Sequence, residues 1–235
     1  MNRDIITIPF PNPGSIIVST DTSGGIGNKP GDLVQTDPEM VAYYCFRVAV
    51  MECMSGGGIP FSVIIQNFTG DSVWDNYVKG VERGLRELEL NEMEVTGSTE
   101  TNFHLNQSAI GVTILGRKRN FSEKTNSKLR YAVIGKPLVG NEVLNFPQNV
   151  APLSTFRWCC EEEAISSVLP VGSKGIFYEF SLLHGEKVSP NKIECELDLN
   201  KTSGPSTCFI ISYLEKEEKR IHEKLGSLFY PIRLT

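Results

Sequence analysis

This sequence is short of histidine and has no paired cysteines. Its three histidines, His104, His184 and His222, lack metal-ligand spacing, and none of its six cysteines falls in a C-x-x-C pair. A zinc site is therefore not expected. Cys45 and Cys53 share a helical pattern with Ala49 between them and read as buried thiols, while Cys159-Cys160 reads as a strand edge rather than a redox pair. The absence of a G-x-S-x-G elbow removes the usual support for a Ser-His-Asp hydrolase. No apolar run approaches the roughly 18 residues that cross a bilayer. The early segment from Ile5 to Phe10 is broken by Pro9, Pro11 and Pro13, unlike a secretory leader. No membrane association and a cytoplasmic location are the resulting expectations. Positive charge is scarce as well: 23 Lys and Arg face 28 Asp and Glu, for a net charge of −5. A broad nucleic-acid surface would need the opposite balance. Arg117, Lys118, Arg119, Lys124, Lys128 and Arg130 do cluster, but within a polar connector, where they read as solvated.

What is present suits a folded chain of 235 residues, with 40% hydrophobic and 22% charged residues, enough for one large domain or two modest ones. The pattern is mixed α+β. Asp37-Pro38-Glu39 supplies a cap, a first-turn proline and a first-turn acid for a helix running to Ser55. Gly56-Gly57-Gly58 ends that helix, and Pro60 to Asn67 follows as a strand. A second helix spans about Val73 to Leu88, and Ala109 to Leu115 reads as a buried strand. The charged, pattern-free stretch that follows predicts a boundary, giving residues 1–118, a connector over 119–130, and a second domain over 131–235. There the pattern predicts strands at Tyr131 to Ile134, Ile176 to Phe180, Ile193 to Leu197 and Cys208 to Tyr213. It predicts helices at about Cys160 to Val168 and Lys216 to Leu225.

The chemistry concentrates in one stretch. The strand Ser15 to Val18 delivers Asp21 to its end, a loop containing Gly24, Gly25 and Gly27 follows, and Lys29 closes it. A carboxylate can hold a divalent cation, loop amides can face phosphate oxygens, and an ammonium can neutralise phosphate charge. The glycine spacing fits neither the Walker A loop nor the dinucleotide fingerprint. Asp32 suits either a metal shell or the turn after Pro30-Gly31. Glu52 is an acid within an apolar helical region, where burial demands a partner or a metal; a salt bridge, with Arg47 for instance, is the competing explanation. Glu100 lies in Thr96-Gly97-Ser98-Thr99-Glu100-Thr101, whose small side chains permit close backbone approach and whose hydroxyls can meet phosphates. Asp4 stands near the terminus, either frayed or part of the same acidic set.

Taken in order, these pieces resemble the aminoimidazole ribonucleotide synthetase (PurM-like) superfamily. Asp21 to Lys29 is similar to its T-D-x-x-G-x-K segment. Arg47 to Pro60 is similar to its acidic helix followed by G-A-x-P, Thr96 to Thr101 to its G-G-E-T or G-G-D-T loop, and Ser203-Gly204-Pro205 to an S-G-G segment before a late strand. The sequence departs from the pattern at Asp4, one aspartate where many members carry G-D-D. It departs again at Glu52, which stands for an aspartate, and at Ser98-Thr99, which stand where a glycine is usual.

The resemblance implies a two-domain α+β fold that dimerises through its N-terminal mixed sheet, and ATP with Mg²⁺ as co-substrate and cofactor. Asp4, Asp21, Glu52 and Glu100 would be the metal ligands. Asp21, Gly24, Gly25, Gly27, Lys29, Ser98 and Thr99 would contact the nucleotide, and Lys29 and Asp32 would take the catalytic positions. Within the superfamily the helix Phe46 to Met54 and Gly97 to Glu100 most resemble the α-ribazole kinases. Those enzymes phosphorylate the 5′-hydroxyl of α-ribazole in cobamide lower-ligand salvage, which implies a small nucleoside-like alcohol as acceptor. Thiamine-phosphate kinase activity, and nucleotide binding without turnover in a regulatory protein, are the alternatives.

Overall fold

The computed structural model describes residues 5–9, 14–118, 128–185 and 188–235. The chain divides into two compact units, Met1–Phe121 and Ser122–Thr235.

The first unit is built on a five-stranded sheet in which β1 (Ile5–Pro9), β2 (Ser15–Gly24), β7 (Ala109–Lys118), β5 (Gly58–Asn67) and β6 (Glu94–Thr99) are neighbours in that order. All pairings are antiparallel except β5 with β6. Between β2 and the first helix the chain forms a two-residue parallel pair, β3 (Ile26–Gly27) with β4 (Val34–Gln35). Side chains alternate across the sheet. Ile17 and Ser19 are buried against helix α1 (Pro38–Ser55), and Ser19 Oγ donates to the Ala49 carbonyl at 2.7 Å. The other face carries Val18, Thr20 and Thr113, and it extends on β1 to Ile6 and Ile8, which are 66% and 46% exposed.

Helix α1 begins as expected: Asp37 Oδ1 accepts from the Glu39 amide at 2.8 Å, with Pro38 in the first turn. It is buried nearly all round because it lies between the sheet and helix α2 (Trp74–Glu87). The crossing of the two helices is close. A Cβ placed on Gly80 of α2 would stand 2.2 Å from the Glu39 carbonyl oxygen and 2.9 Å from the Tyr43 amide nitrogen. Tyr43 completes the contact, its hydroxyl donating to Glu87 at 2.9 Å and its ring lying under the Arg83 guanidinium. Burial lifts the Tyr43 phenol to about 12, so it stays a donor at any ordinary pH.

The second unit is a fully antiparallel sheet in which β10 (Ile193–Glu194), β12 (Phe229–Leu234), β8 (Leu129–Ile134), β11 (Phe209–Leu214) and β9 (Ile165–Pro170) are neighbours in that order. One face packs Val133, Ile210 and Ile232 against Ile176 and Phe180 of helix α5 (Gly175–His184). On the other, Phe156 of α4 (Leu153–Glu161) meets Phe209 edge-on, and His222 of α6 (Glu218–Leu225) stacks on Phe229. A short helix, α3 (Asn141–Asn145), follows β8.

Three expectations for this unit are corrected. The strand expected at Ile176 to Phe180 is helix α5, in which Ile176 and Phe180 are buried four residues apart on one face. The helix expected at Cys160 to Val168 ends as α4 at Glu161, and Ile165 onward is strand β9, so Cys159-Cys160 is helical rather than at a strand edge. Strand β12 was not among the expected strands, and it contains Pro231, a residue confined to sheet edges. The short partner β10 covers only Arg233 and Leu234, which leaves Pro231 on an open edge.

Candidate functional site

The strand directions gather the sequence motifs at one end of the first unit. β2, β5 and β6 end there, β7 begins there, and α1, running antiparallel to β2, presents its N-terminus there. Two loops close this end, the glycine loop between β2 and α1 and the loop between β6 and β7.

These loops are stapled together. The Lys29 ammonium donates to the Leu105 carbonyl at 2.9 Å, and the Gly31 amide donates to Asn106 at 3.2 Å. Gln107 Nε2 returns a hydrogen bond to the Gly31 carbonyl at 2.7 Å, and the Gly25 amide reaches the Ser108 carbonyl at 2.9 Å. Asp32 is the centre of the arrangement. It is 8% exposed; its Oδ1 accepts from the Ser108 amide at 2.7 Å, and its Oδ2 accepts from Ser108 Oγ at 2.7 Å and the Lys29 amide at 2.8 Å. Burial by itself would raise this carboxyl, but the Ser108 and Lys29 hydrogen bonds outweigh it and hold Asp32 below its ordinary value. Both oxygens are thus engaged by the protein, and Asp32 fastens the two loops together. Gly27 fits the same packing: a Cβ there would stand 2.4 Å from Ser108 Oγ.

The internal hydrogen bonds also change the reading of the glycine loop. The amides of Gly25, Lys29, Gly31, Asp32 and Leu33 all bond within the unit. Those five amides are not open to a phosphate, whereas the charge of Lys29 remains available to an anion.

Of the four expected metal ligands, the three described ones, Asp21, Glu52 and Glu100, are not gathered into one metal-binding group. Asp4 lies outside the described residues. Asp21 is half-buried on β2, where its carbonyl accepts from Cys45 Sγ at 3.3 Å on α1. Burial and the nearby Asp21 charge push the Cys45 thiol well above its ordinary range, so Cys45 is an inert core thiol. Glu52 is 4% exposed on α1, two helical turns beyond Cys45, which at 1.5 Å per residue is about 10 Å along the axis. Glu100 serves its own loop: its Oε1 accepts from the amides of Asn102 at 2.6 Å and Phe103 at 3.3 Å. Among the described residues, no three His, Cys, Asp or Glu side chains stand close enough to hold a metal ion. The expected magnesium cage of Asp21, Glu52 and Glu100 does not fit this arrangement.

Ser98 and Thr99 close β6 on opposite faces of the sheet. Thr99 Oγ1 accepts from Asn67 Nδ2 at 3.1 Å, whereas Ser98 is exposed. Gly97 is required by packing, since a Cβ would meet the Ile65 carbonyl oxygen at 2.1 Å.

Sequence reasoning missed the residues that frame this end. Asn67 is buried, its Oδ1 accepting from the Thr69 amide and its Nδ2 donating to Gly70. Thr69 Oγ1 joins the Tyr77 hydroxyl at 2.6 Å and bonds both ends of Ala109. The turn-forming run Asn67-Phe68-Thr69-Gly70-Asp71 was the available signal.

No protein-family model matches the sequence, and no curated protein matches it either. Solved structures do. A chain of AaThiL complexed with AMPPCP and TMP superposes with a TM-score of 0.64 at 12% identity, over 100% of this chain and 84% of that one. The thiamine monophosphate kinase from Aquifex aeolicus gives 0.63 at 14% identity, over 98% and 88%. The fold is PurM-like. PurL of T. maritima, complexed with ADP, matches at 0.60 and 12% identity over 100% of this chain but 42% of its own. At such identities the likeness establishes the PurM-like architecture of both units in order, and no more than that. In the second unit of this PurM-like chain, the Ser203-Gly204-Pro205 segment is part of a buried hydroxyl cluster. Ser203 Oγ and Thr207 Oγ1 lie 2.9 Å apart, and Thr207 Oγ1 ties Lys136 to Leu138. No helix among the described residues is long and apolar enough to cross a membrane.

Proposed function

We propose that this chain binds ATP and transfers its terminal phosphoryl group to a small molecule. The observation that carries the reading is the convergence of Asp21, the glycine loop with Lys29, and the β6–β7 loop on one end of the first unit. Phosphoryl transfer relies on positioning and charge stabilisation more than on a dedicated base, which accords with an Asp32 wholly occupied in holding loops. Lys29 uses one proton on the Leu105 carbonyl, and its charge remains available to a polyphosphate. No step is assigned to magnesium.

Two acceptors follow from different supports. The sequence motifs favour the 5′-hydroxyl of α-ribazole, and the structural likeness to a thiamine monophosphate kinase favours thiamine monophosphate. Transfer of radiolabelled phosphate from ATP to each compound separates them, because one product is a phosphate monoester and the other a diphosphate. Lys29→Met is expected to lower turnover about ten-fold or more with the fold intact. An unaltered rate in a folded variant would remove Lys29 from the site.

The dispersed carboxylates favour a second reading, nucleotide binding without turnover. ATP binding by calorimetry with no ADP released in the presence of any acceptor would select it, and no ATP binding would end both readings. We also propose that the open sheet face around Ile6, Ile8 and Val18 pairs two copies of the chain, as the resemblance implies. Sedimentation equilibrium should give a dimer that Ile6→Lys converts to monomer; a monomeric native chain would refute it.

A further inference from the structure

Large apolar side chains are concentrated around the stapled loops. Leu33 is 86% exposed, Phe103 76%, Phe68 46% and Leu105 44%, and all four lie on the connections that close the loop end of the first unit. Scattered exposed apolar residues are ordinary. Phe103 differs because its backbone is fixed on both sides. Glu100 holds the amides of Asn102 and Phe103, while Leu105, Asn106 and Ser108 are bonded to the glycine loop. A loop without regular structure is thus rigidly braced while the aromatic ring it carries is left mostly open. A ring carried on a braced backbone has little more than its own side-chain rotamers to order when it stacks on a flat partner.

Charge indicates what the rest of that partner carries. The Asp32 carboxylate is occupied by donors of both loops and Glu100 Oε1 by amides of its own turn, and Lys29 bonds the carbonyl of Leu105, two residues from Phe103. The surface therefore couples an aromatic platform to a nearby cation. Resting on the ATP-binding reading above, we propose that the Glu100-braced turn presents Phe103 as a stacking platform for the base of ATP, with the phosphates extending toward Lys29. Glu100 is then a positioning residue that acts through Phe103 rather than through a metal ion.

The test compares two probes on the intact chain, ATP and inorganic tripolyphosphate, which lacks a ring. Base–aromatic stacking is worth about 1–3 kcal/mol by alanine substitution, so Phe103→Ala should weaken ATP about five-fold or more. Phe103→Trp should restore it, and tripolyphosphate affinity should not change. Glu100→Ala should weaken ATP similarly, without magnesium as well as with it, and should add little in a Phe103→Ala background. Thermal unfolding checks that each variant is folded. If native protein binds ATP and Phe103→Ala binds it equally well, the platform is wrong while the ATP reading stands. A loss in Phe103→Ala that is equal for both probes also overturns it. If native protein does not bind ATP, both fall together.

Discussion

Replacing Asp32 with alanine is expected to destabilise the first unit by about 3 kcal/mol, measured as a lowered midpoint in urea unfolding. The variant removes one acceptor group and strands three donors, the Lys29 amide, the Ser108 amide and Ser108 Oγ, at a site that is 8% exposed. Each buried donor left without a partner costs about 1–3 kcal/mol, and relaxation toward water recovers part of the sum. Asp32→Asn should lose less, because its amide oxygen still accepts. The pH dependence has a definite sign. Because folding holds this carboxyl below its ordinary value, the unfolded chain takes up the proton more readily. The stabilisation is complete above the unfolded value, near pH 4, and fades as pH falls through the lower folded value. Stability of Asp32→Asn should accordingly fall less steeply below pH 4 than that of the native chain. Equal acid profiles would show that the carboxylate does not fasten the loops.

Gly80→Ala is expected to cost a similar amount, about 3 kcal/mol, for an unrelated reason. On an isolated helix the change would be favourable by about 1 kcal/mol. Here the added methyl would lie 2.2 Å from the Glu39 carbonyl oxygen and 2.9 Å from the Tyr43 amide nitrogen, both main-chain atoms that cannot swing aside. Helices α1 and α2 would have to separate, loosening the Tyr43–Glu87 hydrogen bond and the Arg83–Tyr43 contact as well. Gly24→Ala is the control, since a Cβ there meets nothing within 4 Å. A Gly80→Ala protein as stable as Gly24→Ala would mean that the helices cross less tightly than described.

Local signals were legible in the sequence and distant ones were not. The Asp37-Pro38-Glu39 start of α1 was readable because a cap is settled by three adjacent residues. The apolar start of β2 and the buried run of β7 were readable because each is a local cluster of strand-forming residues, whereas the polar continuation of β2 to Gly24 carries no such signal. Ile176 to Phe180 misled because a short run of β-branched and aromatic residues suits a strand as well as a helix, and only packing on β8, β11 and β12 decided it. The site follows the same division. The glycine loop and Lys29 were found as motifs, but the partners that define Asp32 and Glu100 were not. Ser108 lies 76 residues from Asp32, and the Glu100 contacts depend on a turn whose amides carry no side-chain signature. Acids that looked equivalent as letters proved to do different work: a loop fastener, a turn brace, and a buried helix residue at Glu52.

The fastening of Lys29, Gly31 and Asp32 to residues 105–108 also bears on when the loop end of the first unit comes into being. A segment synthesised early can reach its final shape only after some 76 further residues have been added and β7 has docked between β2 and β5. Closing so long an interval carries an entropic penalty that local contacts do not offset. On the ribosome, therefore, helix α1 can form well before the loop preceding it is set, and a chain truncated before Ser108 would display the motif without the geometry.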